Sequence, residues 1–180
     1  MKSSSDGRRI VAFYEGSAPD DRGRFLDEIV NFGDDRLEET HDFIQWLFPL
    51  LEHSGANPSA PILDDAAIAA FRTRPELRAA LRRSLDRMLA FYGFQWSGER
   101  IVKSASFLER SQWLSPGNHN HLRLTRILRA LYLLGEESAA QALFDALSDI
   151  YREERQTGRN RISDTTFAFW SNARPSRVSS

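Results

Sequence analysis

The chain contains no cysteine, which excludes disulfide bonds and metal sites built on thiolates. It also lacks any apolar run of the roughly 18 residues that would span a bilayer. The opening residues, MKSSSDGRRIVAFY, contain no apolar core of a secretory signal peptide. We therefore expect a soluble protein with no transmembrane segment, located in the cytoplasm.

Lysine is scarce and acidic residues are unevenly spread. Only Lys2 and Lys103 are lysines, and the other basic residues are arginines. Residues 1–70 hold 6 basic and 14 acidic residues, whereas residues 71–180 hold 18 and 11. A dedicated nucleic-acid-binding domain carries a net basic surplus, but this chain has a formal net charge of −1. We therefore expect no nucleic-acid partner and expect the two parts to pair their charges within one fold.

Catalytic and cofactor-binding motifs are also missing. The sequence has no GxSxG, no phosphate-binding glycine-rich loop of the Walker type and no HExxH. We therefore expect a protein that is not an enzyme and that holds no cofactor.

Apolar residues recur with helical spacing along most of the chain, which predicts an all-α fold. The length of 180 residues suits a single compact multi-helix domain. We place this domain at residues 10–170, with disordered segments at 1–9 and 171–180. Helices are predicted at 25–32, 35–48, 65–71, 75–92, 106–114, 118–134 and 136–152.

Three segments depart from the helical pattern. Residues 94–103 have no clear period and are predicted to be irregular. The segments IVAFY (10–14) and TFAFW (166–170) are rich in aromatic and β-branched residues, so we predict that they are extended. Since the ends of a domain often lie close together, these two could pair as a minor two-stranded element.

Two segments concentrate the side chains that could form a binding site. The first, HDFIQWLFP (41–49), offers His41, Asp42, Gln45 and Trp46 on one predicted helix. The second, NHNHLRLTRILR (118–129), opens a helix that is apolar almost all round and is therefore predicted to be central and buried. Its candidate ligand-binding residues are Asn118, His119, Asn120, His121, Arg123 and Arg126.

The second segment leaves three interpretations open. Asn118 or Asn120 could cap the helix while His119 and His121 make structural hydrogen bonds. The helix N-terminus with Arg123 and Arg126 could instead bind an anion, either a ligand or an internal carboxylate. His119, His121 and His41 could also form a metal site, but residues two apart on a helix do not face the same way.

The arginines of this buried helix need partners, because buried charge is tolerated only when paired. Residues 27–42 are rich in acidic side chains that could serve as these partners. We therefore expect an ion pair between Arg123 or Arg126 and one of those carboxylates, Asp42 first.

Four stretches together resemble the conserved region of the opioid growth factor receptor family. They are HDFIQWLFP (41–49), NPSAP (57–61), LDRMLAFYG (85–93) and NHNHLRLTRILRALYLLG (118–135), with FYEG (13–16) and the acidic positions at 27–28 and 34–35 also fitting. The resemblance spans roughly residues 13–152. It identifies the chain as a short member, of bacterial type, of a family with a globular domain unrelated to seven-helix opioid receptors.

The resemblance also implies a function. For animal members of the family, the resemblance implies binding of an enkephalin-type peptide and association with the nucleus or its envelope. Association with the nuclear envelope would allow peripheral membrane association. We therefore expect a non-enzymatic binding or scaffold domain with peptide receptor activity. The alternative is an enzyme or sensor that binds a phosphorylated or other anionic small molecule at residues 118–126.

Overall fold

The structure of the protein, a computed structural model, describes residues 4–174. Helices hold about 60% of these residues, and two short strands form the one sheet among them. The predicted all-α character is therefore confirmed. The elements are α1 (Ser5–Tyr14), α2 (Leu26–Val30), α3 (Asp34–Glu39), α4 (Ile44–Leu47), α5 (Asp65–Thr73), α6 (Pro75–Tyr92), β1 (Phe94–Ser97), β2 (Arg100–Lys103), α7 (Phe107–Arg110), a 3₁₀ turn (Ser111–Trp113), α8 (His119–Leu133), α9 (Glu137–Gln156) and α10 (Asp164–Ser171).

The chain divides into two compact units, residues 1–88 and 89–180, and the division falls within α6. The prediction of one domain over residues 10–170 stays a prediction.

Helix α1 corrects two expectations about the start of the chain. Residues 5–9, expected to be disordered, and IVAFY, expected to be extended, form one helix. The side chain of Ser4 caps it by accepting the Gly7 N–H at 3.0 Å. Ile10, Phe13 and Tyr14 recur at helical spacing and are buried. Burial of these three side chains on one face of the helix outweighs the β propensity of the segment. Residues 1–3 lie outside the described part.

The predicted helix 35–48 is wrong, because the chain forms two short helices with a break at 40–43. Thr40 has an extended backbone that ends α3. The backbone carbonyl of Asp42 accepts a hydrogen bond from Asn57 Nδ2 at 3.3 Å and belongs to neither helix. A contact to a residue distant in sequence therefore replaces a turn of helix.

Helix α6 begins with Pro75 in the first turn, as predicted. Its predicted apolar seam is buried throughout: Leu77, Leu81, Leu85, Met88 and Tyr92. Over the described residues, no helix has the length and apolar character needed to cross a membrane.

Residues 94–103 form a β-hairpin, which corrects the prediction of an irregular segment. Strands β1 and β2 pair antiparallel, with Phe94 opposite Lys103 and Ser97 opposite Arg100. Gly98 in the two-residue loop has a positive φ of 61°, which suits a tight hairpin turn. The pairing confines the strands to this hairpin within residues 4–174, so the predicted pairing of 10–14 with 166–170 is wrong.

Helices α8 and α9 confirm the predicted helical hairpin in the second unit. Helix α8 is buried along much of its length, as predicted, and it contacts α9 and α10. Helix α10 replaces the extended segment predicted at 166–170, because Ser163 caps its first turn and Phe167 stacks on Tyr151 at 4.1 Å. Residues 171–174, expected to be disordered, include the buried Ala173. Residues 175–180 lie outside the described part.

A glycine fixes the junction between α6 and the hairpin. Gly93 has a φ of 80°, and a Cβ there would lie 2.8 Å from Phe107 Cα. Replacing Gly93 by Ala should therefore cost about 2–4 kcal/mol, from the strained backbone and the collision with another backbone segment.

Gly98→Ala is the matched control, since its φ of 61° is also positive but nothing lies within 4 Å of the added Cβ. Urea denaturation of both variants measures the difference. Equal losses of stability in the two variants would contradict the proposed collision with Phe107.

Candidate functional site

The first unit contains a polar pocket of about 180 Å³. It includes two of the residues predicted from the sequence, Asp42 and Trp46. The lining residues are Asp21, Arg22, Arg24, Asp42, Trp46, Asn57 and Ser59.

One wall of the pocket is a charged turn held by Asp20. The carboxylate of Asp20 is buried and accepts backbone N–H groups from Arg22 and Arg24, both at 2.9 Å. It also accepts Arg24 Nε at 2.7 Å, and Arg24 Nη2 lies 2.6 Å from the same carboxylate. Gly23, with a φ of 76°, allows the reversal of the chain. The turn thus presents two guanidinium groups from positions two apart.

Both guanidinium groups meet Asp42. Arg22 Nε donates to Asp42 Oδ2 at 3.0 Å, and Arg24 Nη2 lies 2.9 Å from Asp42 Oδ1. Burial alone would raise the pKa of Asp42, but the hydrogen bonds and charges of Arg24 and Arg22 outweigh it and leave the pKa below its ordinary value. The Asp42 side chain is therefore ionised at neutral pH.

Trp46 lies beside this ion pair and is 1% exposed. Its ring packs 5.2 Å from the ring of Phe13, and the guanidinium of Arg9 lies 5.1 Å from its centroid. The indole N–H donates a hydrogen bond to no residue in the described part of the chain. A buried tryptophan usually places this donor on an acceptor. The N–H of Trp46 is not among the buried polar atoms that lack a partner, so it remains accessible to solvent or to a ligand.

The other residues predicted in the first segment lie outside the pocket lining. His41 is exposed in the break between α3 and α4. Gln45 is buried, and its Nε2 donates to Ser54 at 3.4 Å, whereas its Oε1 accepts from no residue of the described range.

Sequence reasoning missed five pocket residues. Asp21, Arg22 and Arg24 belong to the run DDRGR, in which two acidic residues precede two arginines that flank Gly23, and this pattern was the available signal for a charged turn. Asn57 and Ser59 belong to NPSAP and bond to each other at 2.9 Å. Only the tertiary contact of Asn57 with Asp42 brings that loop to the pocket.

The second predicted segment is in the second unit, where most of its polar groups bond within the fold. Asn118 caps α8, because its side chain accepts the Asn120 N–H at 2.9 Å. Asn120 Oδ1 accepts from Tyr92 Oη and from Arg123 Nη1, both at 3.3 Å. Asn120 and Arg123 are buried, and Arg126 is half-buried. The expected ion pair of Arg123 or Arg126 with a carboxylate of residues 27–42, Asp42 first, stays a prediction.

His121 is part of an aromatic cluster in the second unit. Its ring lies edge-on to Trp113 and Trp170, at centroid distances of 6.2 and 5.9 Å. Nε2 donates to the Trp113 carbonyl at 2.9 Å, and the His121 carbonyl accepts from Trp170 Nε1 at 3.2 Å. This geometry confirms the structural interpretation of His121. His119, two residues earlier, is exposed.

The described residues contain no group of three or more His, Asp or Glu side chains that could hold a metal ion. The second segment of candidates therefore does not build a metal site within residues 4–174.

Comparison with known proteins identifies the family. The opioid growth factor receptor (OGFr) conserved region matches residues 12–171. The chain belongs to this family. The match includes every residue that lines the pocket.

Several relatives in this family are similar over part of their length. The chain is 40% identical over 121 residues to the rat opioid growth factor receptor, covering 64% of this chain and 21% of that protein. It is 37% identical to the human receptor, covering 64% and 18%, and 38% identical to mouse opioid growth factor receptor-like protein 1, covering 71% and 29%.

The chain thus aligns with less than a third of each of these relatives. They are vertebrate proteins, so the bacterial type stays a prediction. No solved structure matches.

Asp42→Asn should destabilise the first unit by about 2 kcal/mol at pH 7, because it removes a carboxylate shared by two guanidinium groups. The loss stays below that of a fully broken buried pair, since Asp20 still holds Arg24. The pKa of Asp42 is lowered in the fold, so its contribution is full above about pH 4 and disappears as pH falls through the folded value.

Urea denaturation of wild type and Asp42→Asn at pH 7 and at pH 3 measures both effects. Asp27→Asn is the control, because Asp27 is 76% exposed and pairs with Arg83 outside the pocket. A difference between wild type and Asp42→Asn that is unchanged at pH 3 would contradict the assignment.

His121 should make stability fall as pH falls below 7. Burial lowers the pKa of His121, so the unfolded chain takes up a proton more readily than the folded one. Stability is therefore full above the unfolded pKa of about 6.5 and decreases as pH falls towards the folded value.

Thermal unfolding between pH 7.5 and 5.5 tests this expectation. His121→Gln should flatten the pH dependence, whereas His53→Gln, at an exposed position, should leave it in place. A pH dependence that persists unchanged in His121→Gln would assign it to another group.

Proposed function

We propose that the chain is a non-enzymatic peptide-binding domain and that the pocket around Asp42 and Trp46 holds one residue of the peptide. The unused indole N–H of Trp46 carries this proposal. Its donor lacks an acceptor among the described residues, and a peptide main chain supplies a carbonyl group at every residue.

The size of the pocket supports a peptide more than a complete small molecule. Sites for drug-sized ligands and cofactors enclose about 300–1,000 Å³, whereas this pocket measures about 180 Å³. A space of that size suits a single residue of a chain whose remainder lies outside. A nucleotide or similar phosphorylated compound would not fit inside it.

The charges of the pocket support binding over catalysis. A general acid or base works best with a pKa near the operating pH. The pKa of Asp42 is shifted away from neutral pH, because two guanidinium groups hold it below the ordinary value. The carboxylates of Asp20 and Asp42 are engaged with arginine, an arrangement suited to recognition.

The family supports the same function. The matched relatives are named opioid growth factor receptor, and the resemblance implies an enkephalin-type peptide as ligand. Since the alignment covers about a fifth of those receptors, receptor activity of this chain is part of the proposal.

Isothermal titration of the protein with an enkephalin-type pentapeptide tests the proposal. Ser59→Phe should weaken binding at least about tenfold, because the new ring fills the pocket that Ser59 lines. Ser17→Phe is the control, since Ser17 is exposed in the same unit and does not line the pocket. The proposal fails if wild type binds no pentapeptide, or if both variants bind as wild type does.

A further inference from the structure

The walls of the pocket are held with unequal strength. Arg24 pairs with Asp20 at 2.6 Å and with Asp42 at 2.9 Å, so ion pairs fix the charged turn on one side. Asn57 and Ser59 line the pocket from a different segment. Asn57 Nδ2 donates to the Asp42 carbonyl at 3.3 Å, which is long for a hydrogen bond between neutral groups. The wall that contains Asn57 is therefore the one that moves at the lower cost.

This second wall belongs to a loop whose two ends are joined. The Leu63 N–H donates to the Leu50 carbonyl at 2.8 Å, and both side chains are buried. Between them, residues 51–59 include no buried residue. A surface segment of this length with adjoining ends is an Ω loop, a class of loop that is frequently functional. Its ends are anchored while its middle is exposed, so the middle can move without disturbing the core.

The backbone of the loop offers little resistance to such a motion. Within the described part of the chain, the N–H groups of His53, Gly55, Asn57 and Ser59 donate to no other residue. They are left to solvent in the closed arrangement and lose no protein hydrogen bond when the loop moves. Segments with few buried apolar contacts and solvent-bonded amides open at a low free energy.

The closed arrangement also leaves a buried acceptor unused beneath the loop. Gln45 is 4% exposed, and its Nε2 donates to Ser54 Oγ of the loop at 3.4 Å. Its Oε1 accepts from no residue of the described range. A buried carbonyl without a partner raises the free energy of the state that contains it. Movement of Ser54 away from Gln45 would admit water to this carbonyl, so the closed loop is poised to open.

A ligand needs this opening to reach the base of the pocket. The Trp46 side chain is 1% exposed, so its N–H contacts solvent through a very small area. A peptide residue can approach that N–H only after one wall has moved aside. Since ion pairs fix the wall of Arg24, the loop is the wall that moves.

We propose that residues 51–59 form a lid that opens to admit the ligand and closes over it, with Leu50 and Leu63 as the hinge. Asn57 is a positioning residue that latches the lid through the Asp42 carbonyl. This inference rests on the proposed peptide-binding function and adds how access to the same pocket is regulated.

The lack of cysteine lets a single introduced thiol report the opening of the lid. Gln45→Cys places a thiol beneath the loop, at the position that contacts Ser54. Ser84→Cys, an almost isosteric change, places one at a fully buried position of α6 in the same unit. Alkylation of the first by iodoacetamide requires the lid to open, whereas alkylation of the second requires wider unfolding of the unit.

The two thiols should differ in rate and in their response to urea. Gln45→Cys should be alkylated at least about tenfold faster than Ser84→Cys, because lid opening costs less than unfolding. Low concentrations of urea should accelerate Ser84→Cys steeply and Gln45→Cys hardly at all, since the effect of urea scales with the surface that is exposed.

The latch is tested by adding Asn57→Ala to Gln45→Cys. The rate of alkylation should rise about five- to tenfold, the effect of losing one hydrogen bond in the closed state. Asn31→Ala is the matched control, because Asn31 Nδ2 also donates to a backbone carbonyl, that of Asp27 at 2.7 Å, away from the loop. It should leave the rate of Gln45→Cys unchanged, since lid opening keeps that bond.

An enkephalin-type pentapeptide then tests the role of the lid in binding. At a saturating concentration it should slow the alkylation of Gln45→Cys at least about fivefold, because the occupied pocket holds the lid closed.

The outcomes separate this inference from the proposed function. Equal rates and equal urea dependence of the two thiols, or equal acceleration by Asn57→Ala and Asn31→Ala, would overturn the lid. A rate that Asn57→Ala leaves unchanged would overturn its latch. A peptide that binds by isothermal titration without slowing alkylation would overturn the closure over ligand. Absence of binding would overturn the proposed function, while the thiol rates measured without peptide would still decide whether the loop opens.

Discussion

The guanidinium of Arg24 imposes the constraint on which the site depends. Its side chain is 14% exposed, and a charge that is largely removed from water must be paired. Asp20, four residues earlier, supplies one carboxylate and folds the turn. Asp42 supplies the other from the break between α3 and α4. Trp46 follows Asp42 by four residues, so the ion pair that holds the break also fixes the position of the indole.

The two units use tryptophan differently. In the second unit, Trp113 Nε1 donates to the Tyr92 carbonyl and Trp170 Nε1 donates to the His121 carbonyl. These donors are used to close the aromatic cluster around His121, and the cluster has no remaining donor on those rings. Trp46 is equally buried, but its N–H is not used in this way. The contrast within one chain distinguishes rings whose N–H is used in packing from a ring whose N–H is not.

The sequence predicted elements whose signals are local. The helix of Pro75–Tyr92 follows from Pro75 and a repeating leucine seam, and α8 follows from the Asn118 cap. The break at 40–43 could not be predicted in this way, because Asn57 reaches it from fifteen residues away. Helix α1 was open to prediction, since Ile10, Phe13 and Tyr14 show helical spacing. Its aromatic and β-branched composition concealed that spacing.

The candidate site shows the same division between local and tertiary signals. Asp42 and Trp46 attract attention in the sequence as a carboxylate and an indole close together. Their partners Arg22 and Arg24 lie about twenty residues earlier, and only folding joins them. The 118–126 segment attracted equal attention, but Asn118, Asn120 and His121 all have structural hydrogen bonds there. A cluster of polar residues in sequence therefore indicates a site only when the fold leaves some of their bonds unused.

The pocket lies wholly within residues 12–171, the part of the chain that matches the family, so the lining itself belongs to the family region. The residue that pairs with Asp21, in contrast, lies outside the matched range. Arg9 bonds Asp21 and Asp6 from helix α1, and both Arg9 and Asp6 precede the matched residues. The ion pair that holds Asp21 at the pocket therefore uses a residue outside the matched range.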